Sequence, residues 1–453
     1  MENLVYVEEP KKPTMEDFGN REQPGLWMTH DPAAYQDPVS KNYYIYSTGA
    51  LLKKSEDMIH FTSLGKVCEV PEEAYEWTKS RDIWAPDIVK VGDEYRLYCS
   101  NSSWGVQQSC IFLAVSSSPE GPFEPRGIVI KTSDKLPVNA IDANIITDAK
   151  TGQMYMLYGS FWGGCYVLEL DVETGLSKNP CPRKWTYDKK SDSFSCEMKN
   201  IIGTCVAKRP KYLSTAVEGP YMIYNEVFDF YYLFVSYGSL KSDYNICVGR
   251  SKHITGPFLD SKGESLISAL GTETAGNLLM AGYEWNDGIS YMAPGHNSVL
   301  RNEENDFFLV THIREKNFHD EPEPSTMQVR RIYFSEDGWP YVESEVYAGK
   351  AEHEFTKEEL LGFYERIDFY KTIPQGISVS TPMKLGEESY YEHCSVCGEW
   401  EMTDGNHLEI TYGPYKEKTT VAYVFDRERQ VTTIGICGID EEGRSFWAKK
   451  ISD

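Results

Sequence analysis

Five short motifs put an acidic residue or a histidine beside a tyrosine-rich run. They are Asp31 in HDP, Asp87 in WAPDI, Asp142 in AID, Glu218 in EGPY and His296 in GHNSV. Aspartate favours turns on its own account, which would explain any one of them. Five at the same phase of a repeat ask for more. Carboxylates gathered in one pocket must shift each other's pKa values, the condition for general acid–base work.

The spacing says what could gather them. From Asp31 to Asp87 is 56 residues, then 55 to Asp142, 76 to Glu218 and 78 to His296. Each motif opens a strand–hairpin–strand segment, broken by polar turns such as DPVSKN, VGDE, DAKTGQ and RNEEND. Periods of about 50 residues or more, with four strands per unit, indicate propeller blades. Equivalent positions of different blades meet at one end of the central axis, so residues far apart in sequence share a pocket.

The reading is therefore an all-β chain: an N-terminal extension over 1–24, a β-propeller over 25–349 and a small C-terminal β domain over 350–453. The last shows short alternating strands from GISVSTPMKL to SFWAKK, as a barrel or sandwich would. KEELLGFYERI, between the two, reads as a connector with a turn or two of helix.

Composition narrows the partner. The chain has 453 residues, 45 Lys and Arg against 69 Asp and Glu, and a formal net charge of -24. That disfavours nucleic acid and anionic membrane surfaces. Aromatics make up 13% of the residues, which fits a neutral partner that stacks, such as a sugar. No stretch approaches a membrane span, and no signal peptide is visible at the N-terminus. Eleven scattered cysteines suggest reduced thiols and a cytoplasmic protein, although a secreted chain that has lost its leader would read alike. Cys394 and Cys397 form a C-x-x-C with no second pair, read as chance spacing in a strand.

These residues resemble glycoside hydrolase family 43, in its arabinan-cleaving branch of endo-1,5-α-L-arabinanases. HDP, WAPDI, AID, YGSFWGG at Tyr158–Gly164, EGPY and GHNSV run in the family's order over about residues 25–345. The tail resembles the small β domain appended to some arabinanases. The resemblance implies a five-bladed propeller and inverting hydrolysis of arabinan or arabino-oligosaccharides. It makes Asp31 the general base, Glu218 the general acid and Asp142 the third carboxylate, which orients the acid and raises its pKa. Ala143 stands where the family usually has proline.

An inverting hydrolase needs two carboxyl groups about 6.5–9.5 Å apart, with room for a water between them. An Asp, a Glu and an extra Asp on different blades suit that task. Trp84, Phe161 and Trp162 are candidate walls for a furanose ring, and Asn139 and Ser160 candidate partners of its hydroxyls. Asp87 is a candidate for the pocket's hydrogen-bond network. The resemblance also places a calcium ion, held mostly by waters, in the axial channel near His296. Calcium prefers oxygen ligands, so the alternative is that His296 orients a catalytic or substrate group. No organic cofactor is expected, and the oligomeric state stays open. Two rival functions remain: an exo-acting α-L-arabinofuranosidase or β-xylosidase, and a non-catalytic carbohydrate-binding propeller. The segment KNPCPRKWTYDKKSDSFSCEMKN could build a wall of the cleft for either mode of cleavage.

Overall fold

The computed structural model describes residues 28–179, 201–210, 216–267, 275–286, 288–316, 324–370 and 376–452, with the short strand pair Tyr187–Asp188 and Ser193–Phe194. The N-terminal extension and most of the KNPCPRKW insertion lie outside these residues.

Five antiparallel sheets form the propeller. Blade I runs from Ala33–Gln36 to Phe61–Lys66, blade II from Ile83–Val91 to Glu124–Thr132, and blade III from Asn144–Thr147 to Thr204–Ala207. Blade IV runs from Val217–Asn225 to Asn277–Met280, and blade V from Tyr291–Arg301 to Pro340–Val342. The strands read as propeller strands because both faces are covered by neighbouring blades, which favours continuous apolar runs over alternation. In blade IV, FYYLFVSY (Phe230–Tyr237) is buried from its second residue to its last. The ring closes where Thr29 donates to the Ser325 carbonyl of blade V (3.1 Å).

Polar ties repeat around the ring, near the end of each blade's second strand. Thr48 Oγ1 accepts from the Ala85 amide (3.1 Å), Ser100 Oγ from Asp142 (2.9 Å) and Ser236 Oγ from His296 (2.8 Å). His312 Nδ1 accepts from Asp31 (3.2 Å), joining blade V to blade I. Between blades III and IV the side chain of Ser160 reaches Glu218 instead. Deeper in the ring, Asp87 Oδ2 accepts from the Ile145 amide (2.6 Å) and Asn144 Oδ1 from Met222 (2.9 Å). Buried amides need such partners, and here the partners also fix how one blade meets the next.

The C-terminal domain is a closed eight-stranded barrel, from Gly362–Phe369 to Ser445–Ser452, which pair with each other. Only KEEL of the expected helical connector is helical (Lys357–Leu360), started by a capping box of Thr356 and Glu359. GFYERI is the first barrel strand, because Tyr364 and Ile367 point into packed surfaces and Phe363 to Arg366 pair on both sides. Ser378–Val379 leaves the barrel to add a parallel strand to Tyr283–Glu284 beside blade V. A buried ammonium also joins the domains: Lys449 Nζ meets Glu345 (3.0 Å) and Asp426 (3.1 Å) above the Trp285 ring. None of the nine described cysteines forms a disulfide, and Cys394 and Cys397 are exposed at a hairpin between barrel strands.

Candidate active site

Asp31 and Asp142 sit just before the first strand of a blade and His296 at a break in the pairing within one, and all three have positive φ (54°, 63° and 44°). Such backbone is costly for residues with a Cβ and persists where surroundings over-determine it. The blade-to-blade ties of their amides supply that determination.

The Asp31 carboxylate is enclosed by imidazoles. His296 Nδ1 lies 3.1 Å from Oδ1, His312 Nδ1 3.4 Å and His30 Nε2 3.5 Å, while Thr48 Oγ1 donates to Oδ2 (2.6 Å). Burial pushes the Asp31 pKa up, but the histidines outweigh it and hold the group well below the usual carboxylate range. Burial pulls His312 down to about 3 and lowers His30, so both are neutral. His296 goes the other way: against burial, Asp31, Asp142 and Glu218 raise its pKa and favour the imidazolium.

Asp142 and Glu218 form a second group. The Gly219 amide donates to Asp142 Oδ2 (3.2 Å), so the residue after Glu218 holds Asp142 in place. Ser160 Oγ donates to Glu218 Oε2 (2.6 Å). Burial raises Asp142 to about 7, opposed by His296 and helped by Glu218. Glu218 is also raised, first by burial, against the hydrogen bonds of Ser160 and Tyr244 and the charge of His296. Two buried carboxyl groups of one pocket, Asp31 and Glu218, thus have pKa values pushed apart, a pattern that can divide acid from base. Close packing explains the glycine of GHNSV: a Cβ on Gly295 would stand 2.0 Å from the Tyr244 ring.

Two cavities open on these residues and share Trp84 as a wall. One, of about 240 Å³, is lined by Trp84, Trp104, Asn139, Ser160, Phe161, Trp162 and Glu218, among others. The other, of about 880 Å³, is lined by His30, Thr48, Arg81, Trp84, Arg314 and Ser325, among others. Phe161 and Trp162 both have positive φ (52° and 34°), which turns their rings edge to face 6.5 Å apart. Asn139 Oδ1 is held by Ser109 Oγ (2.6 Å). Asp31 is buried behind the lining residues His30 and Thr48, and Asp142 is buried next to the lining residue Ile141. Asp87 lines neither cavity; it ties blade II to blade III through Ile145 and Asn144, and burial raises its pKa to about 7.

Several site residues escape the reading of motifs. His312, Thr48, Ser100 and Ser236 stand at or near the ends of second strands, Tyr244 just before the third strand of blade IV, and Trp104 in a turn. The signal for four of them was present: YSTG, YCSN, VSYG and VTHI end equivalent strands, with a hydroxyl or imidazole at a repeated place.

His296 turns its Nδ1 to Asp31, so Nε2 is the ring nitrogen left to face a cation or a substrate group. Among the described residues near the site, His30, Asp31 and His312 are the group that could hold a metal. His312 Nε2 is buried without a hydrogen-bond partner. His312 Nδ1 accepts from the Asp31 amide, so the neutral ring carries its proton on Nε2 and would have to change tautomer, giving up that bond, before Nε2 could ligate an ion. The set offers calcium one carboxylate and two imidazoles, so water would have to complete the shell.

Residues 27–340 match the model of glycosyl hydrolases family 43, and residues 344–448 that of a C-terminal lipocalin-like domain. The chain is 28% identical to an extracellular endo-α-(1→5)-L-arabinanase of Thermotoga petrophila, over 95% of this chain and 96% of that one. It superposes on a family 43 glycoside hydrolase, YxiA from Bacillus licheniformis, with a TM-score of 0.81 and 25% identity, covering 94% of this chain and 98% of that one. An α-L-arabinanase of Cellvibrio cellulosa complexed with arabinohexaose matches with a TM-score of 0.55 and 26% identity, covering 70% of this chain and 95% of that one.

Proposed function

This chain belongs to glycosyl hydrolases family 43, and from that premise we propose that it is an inverting, endo-acting hydrolase of α-1,5-linked L-arabinofuranose chains. The observation that carries the reading is the pair of cavities meeting at Trp84, with Glu218 on one and the surroundings of Asp31 on the other. A polymer laid across both would have residues bound on each side of the scissile bond. The near full-length likeness to the Thermotoga petrophila endo-arabinanase supports the substrate class.

In this reading Asp31, kept ionised by its histidines, takes a proton from a water as that water attacks the anomeric carbon. Glu218 gives its proton to the leaving glycosidic oxygen as the bond to it breaks. The configuration at the anomeric carbon inverts, and solvent returns both carboxyl groups to their starting states. Asp142 fixes Glu218 through Gly219 and keeps a second negative charge near it unfavourable. His296 holds Asp31 in its charged form. Trp84, Phe161 and Trp162 present rings to the sugar, and Asn139 and Ser160 polar atoms. We also propose that calcium, when bound, lies in the axial channel near His296 and is held mostly by waters. Its charge would ease the repulsion among the clustered carboxylates.

The test is product profiling. On linear debranched arabinan a ladder of oligosaccharides, released first as the inverted anomer, is expected. Arabinose alone would mean exo action, and no release from arabinan would remove the substrate assignment.

A further inference from the structure

The C-terminal barrel holds a cavity that takes no part in the chemistry above. It occupies about 200 Å³ at one mouth of the barrel, where the hairpins after His393, Tyr412 and Asp440 meet the end of the first strand. Closed barrels of eight strands are just wide enough inside to hold one small ligand. The chemistry of the lining says which kind.

Its floor is charged, and the charges are paired. Arg366, 2% exposed at the side chain, donates to Glu417 with both terminal nitrogens, to Asp368 and to the Tyr391 hydroxyl. Arg444 pairs with Asp440. Among the described lining residues two guanidinium groups thus face three carboxylates, with His393, its pKa lowered by burial, beside Asp368, which leaves one negative charge over. A purely apolar ligand would strip the remaining hydrogen-bonding positions of these groups of water without replacing it.

Its walls are aromatic. Tyr391 and Tyr412 stack 5.7 Å apart, Tyr412 and Tyr415 lie 5.6 Å apart, and Arg444 covers the Tyr415 ring. Tyr370 stands at the rim, 59% exposed. The Tyr391 hydroxyl accepts from Arg366, which leaves its own proton to donate. Donors and acceptors beside flat rings, around a paired floor, suit a neutral polyhydroxylated ring: faces stack, hydroxyls both give and take hydrogen bonds.

We propose that the barrel mouth is a second carbohydrate site, which takes a neutral sugar residue apart from the catalytic cleft. Under the function proposed above, the sugar is an arabinofuranosyl unit of the same polymer, and the barrel tethers the chain on which the propeller acts. That identification rests on the proposed function; the class of ligand does not.

The experiment uses the full chain carrying Glu218→Gln, so that oligosaccharide survives, titrated calorimetrically with arabinotriose. Two classes of site are expected. Adding Tyr370→Ala, which cuts an exposed ring and leaves the core alone, should weaken one class at least tenfold and leave the other. Tyr415→Ala should do the same, with an unchanged thermal midpoint for the Tyr370 variant confirming the fold. A single class of site, unmoved by Tyr370→Ala and by Tyr415→Ala, overturns the proposal. The two readings fail separately, since absence of arabinan cleavage strikes only the substrate, whereas this titration needs no cleavage.

Discussion

Ser160 donates to the carboxylate of Glu218 across the seam between blades III and IV, at 2.6 Å. At the other four seams the corresponding side chain accepts a hydrogen bond from a main-chain amide. The seam that carries the proposed acid is therefore the one where the tie is spent on a side chain. This bond favours the charged form of Glu218, so it opposes the burial that keeps the acid protonated.

Ser160→Ala should move the pH profile in a stated direction. The acid works protonated, and its loss of the proton sets the alkaline limb. Removing a donor to the carboxylate raises the Glu218 pKa, so the alkaline limb of kcat/KM should move to higher pH. A limb that stays or falls would contradict the assignment of Glu218.

Glu218→Gln should lose about 10²–10⁴-fold on arabinan, the usual scale of general acid catalysis. An aryl arabinofuranoside, whose leaving group needs little protonation, should suffer much less. Asp31→Asn should abolish both. Equal losses of Glu218→Gln on the two substrates count against its role as acid.

His296→Asn removes the nearest positive charge from Asp31. The Asp31 pKa should rise, because a neighbouring imidazolium stabilises the carboxylate. A base must be ionised to act, so the acidic limb of kcat/KM should move to higher pH. The alkaline limb should rise too, since His296 also lowers Glu218. Titration of activity from acid to alkaline pH reads both.

Asp142→Asn trades function for stability. Burial raises Asp142 to about 7 in the folded state, above its unfolded value, so its ionisation costs stability as pH rises through that range. The variant should show a higher thermal midpoint than the parent at pH 8. The gap should close near pH 4, where the parent carboxyl is also neutral. Activity should fall at both.

Lys449→Met would leave Glu345 and Asp426 without their shared ammonium between barrel and propeller. Breaking a buried pair costs about 3–5 kcal/mol. Glu345, raised to about 7 by burial, can take a proton in acid. The fall in thermal midpoint should thus be larger at pH 8 than at pH 5, as differential scanning calorimetry would record.

The motifs were legible because their residues are special on their own. Aspartate, histidine and glycine before strands mark tight entry turns, and five entries at one phase announce a ring. Gly295 is a case in point: its lack of a side chain is visible in GHNSV, its reason is the Tyr244 ring that fills the space. One reading of the sequence had to be narrowed: of KEELLGFYERI only KEEL is helical, because GFYERI meets the last strand of the barrel, a neighbour its own residues do not announce.

By itself the sequence determined the strands, the repeat and thus the carboxylates that come together, since these follow from local pattern and periodicity. Only the tertiary structure decided their protonation and their partners. His312 is an ordinary strand residue in VTHI until blade V closes on blade I and lays its ring against Asp31. Tyr391 and Arg366 are barrel positions until eight strands close and leave a cavity between them. Proton affinity depends on burial and on charges a few ångströms away, and those distances exist only once the ring and the barrel are shut.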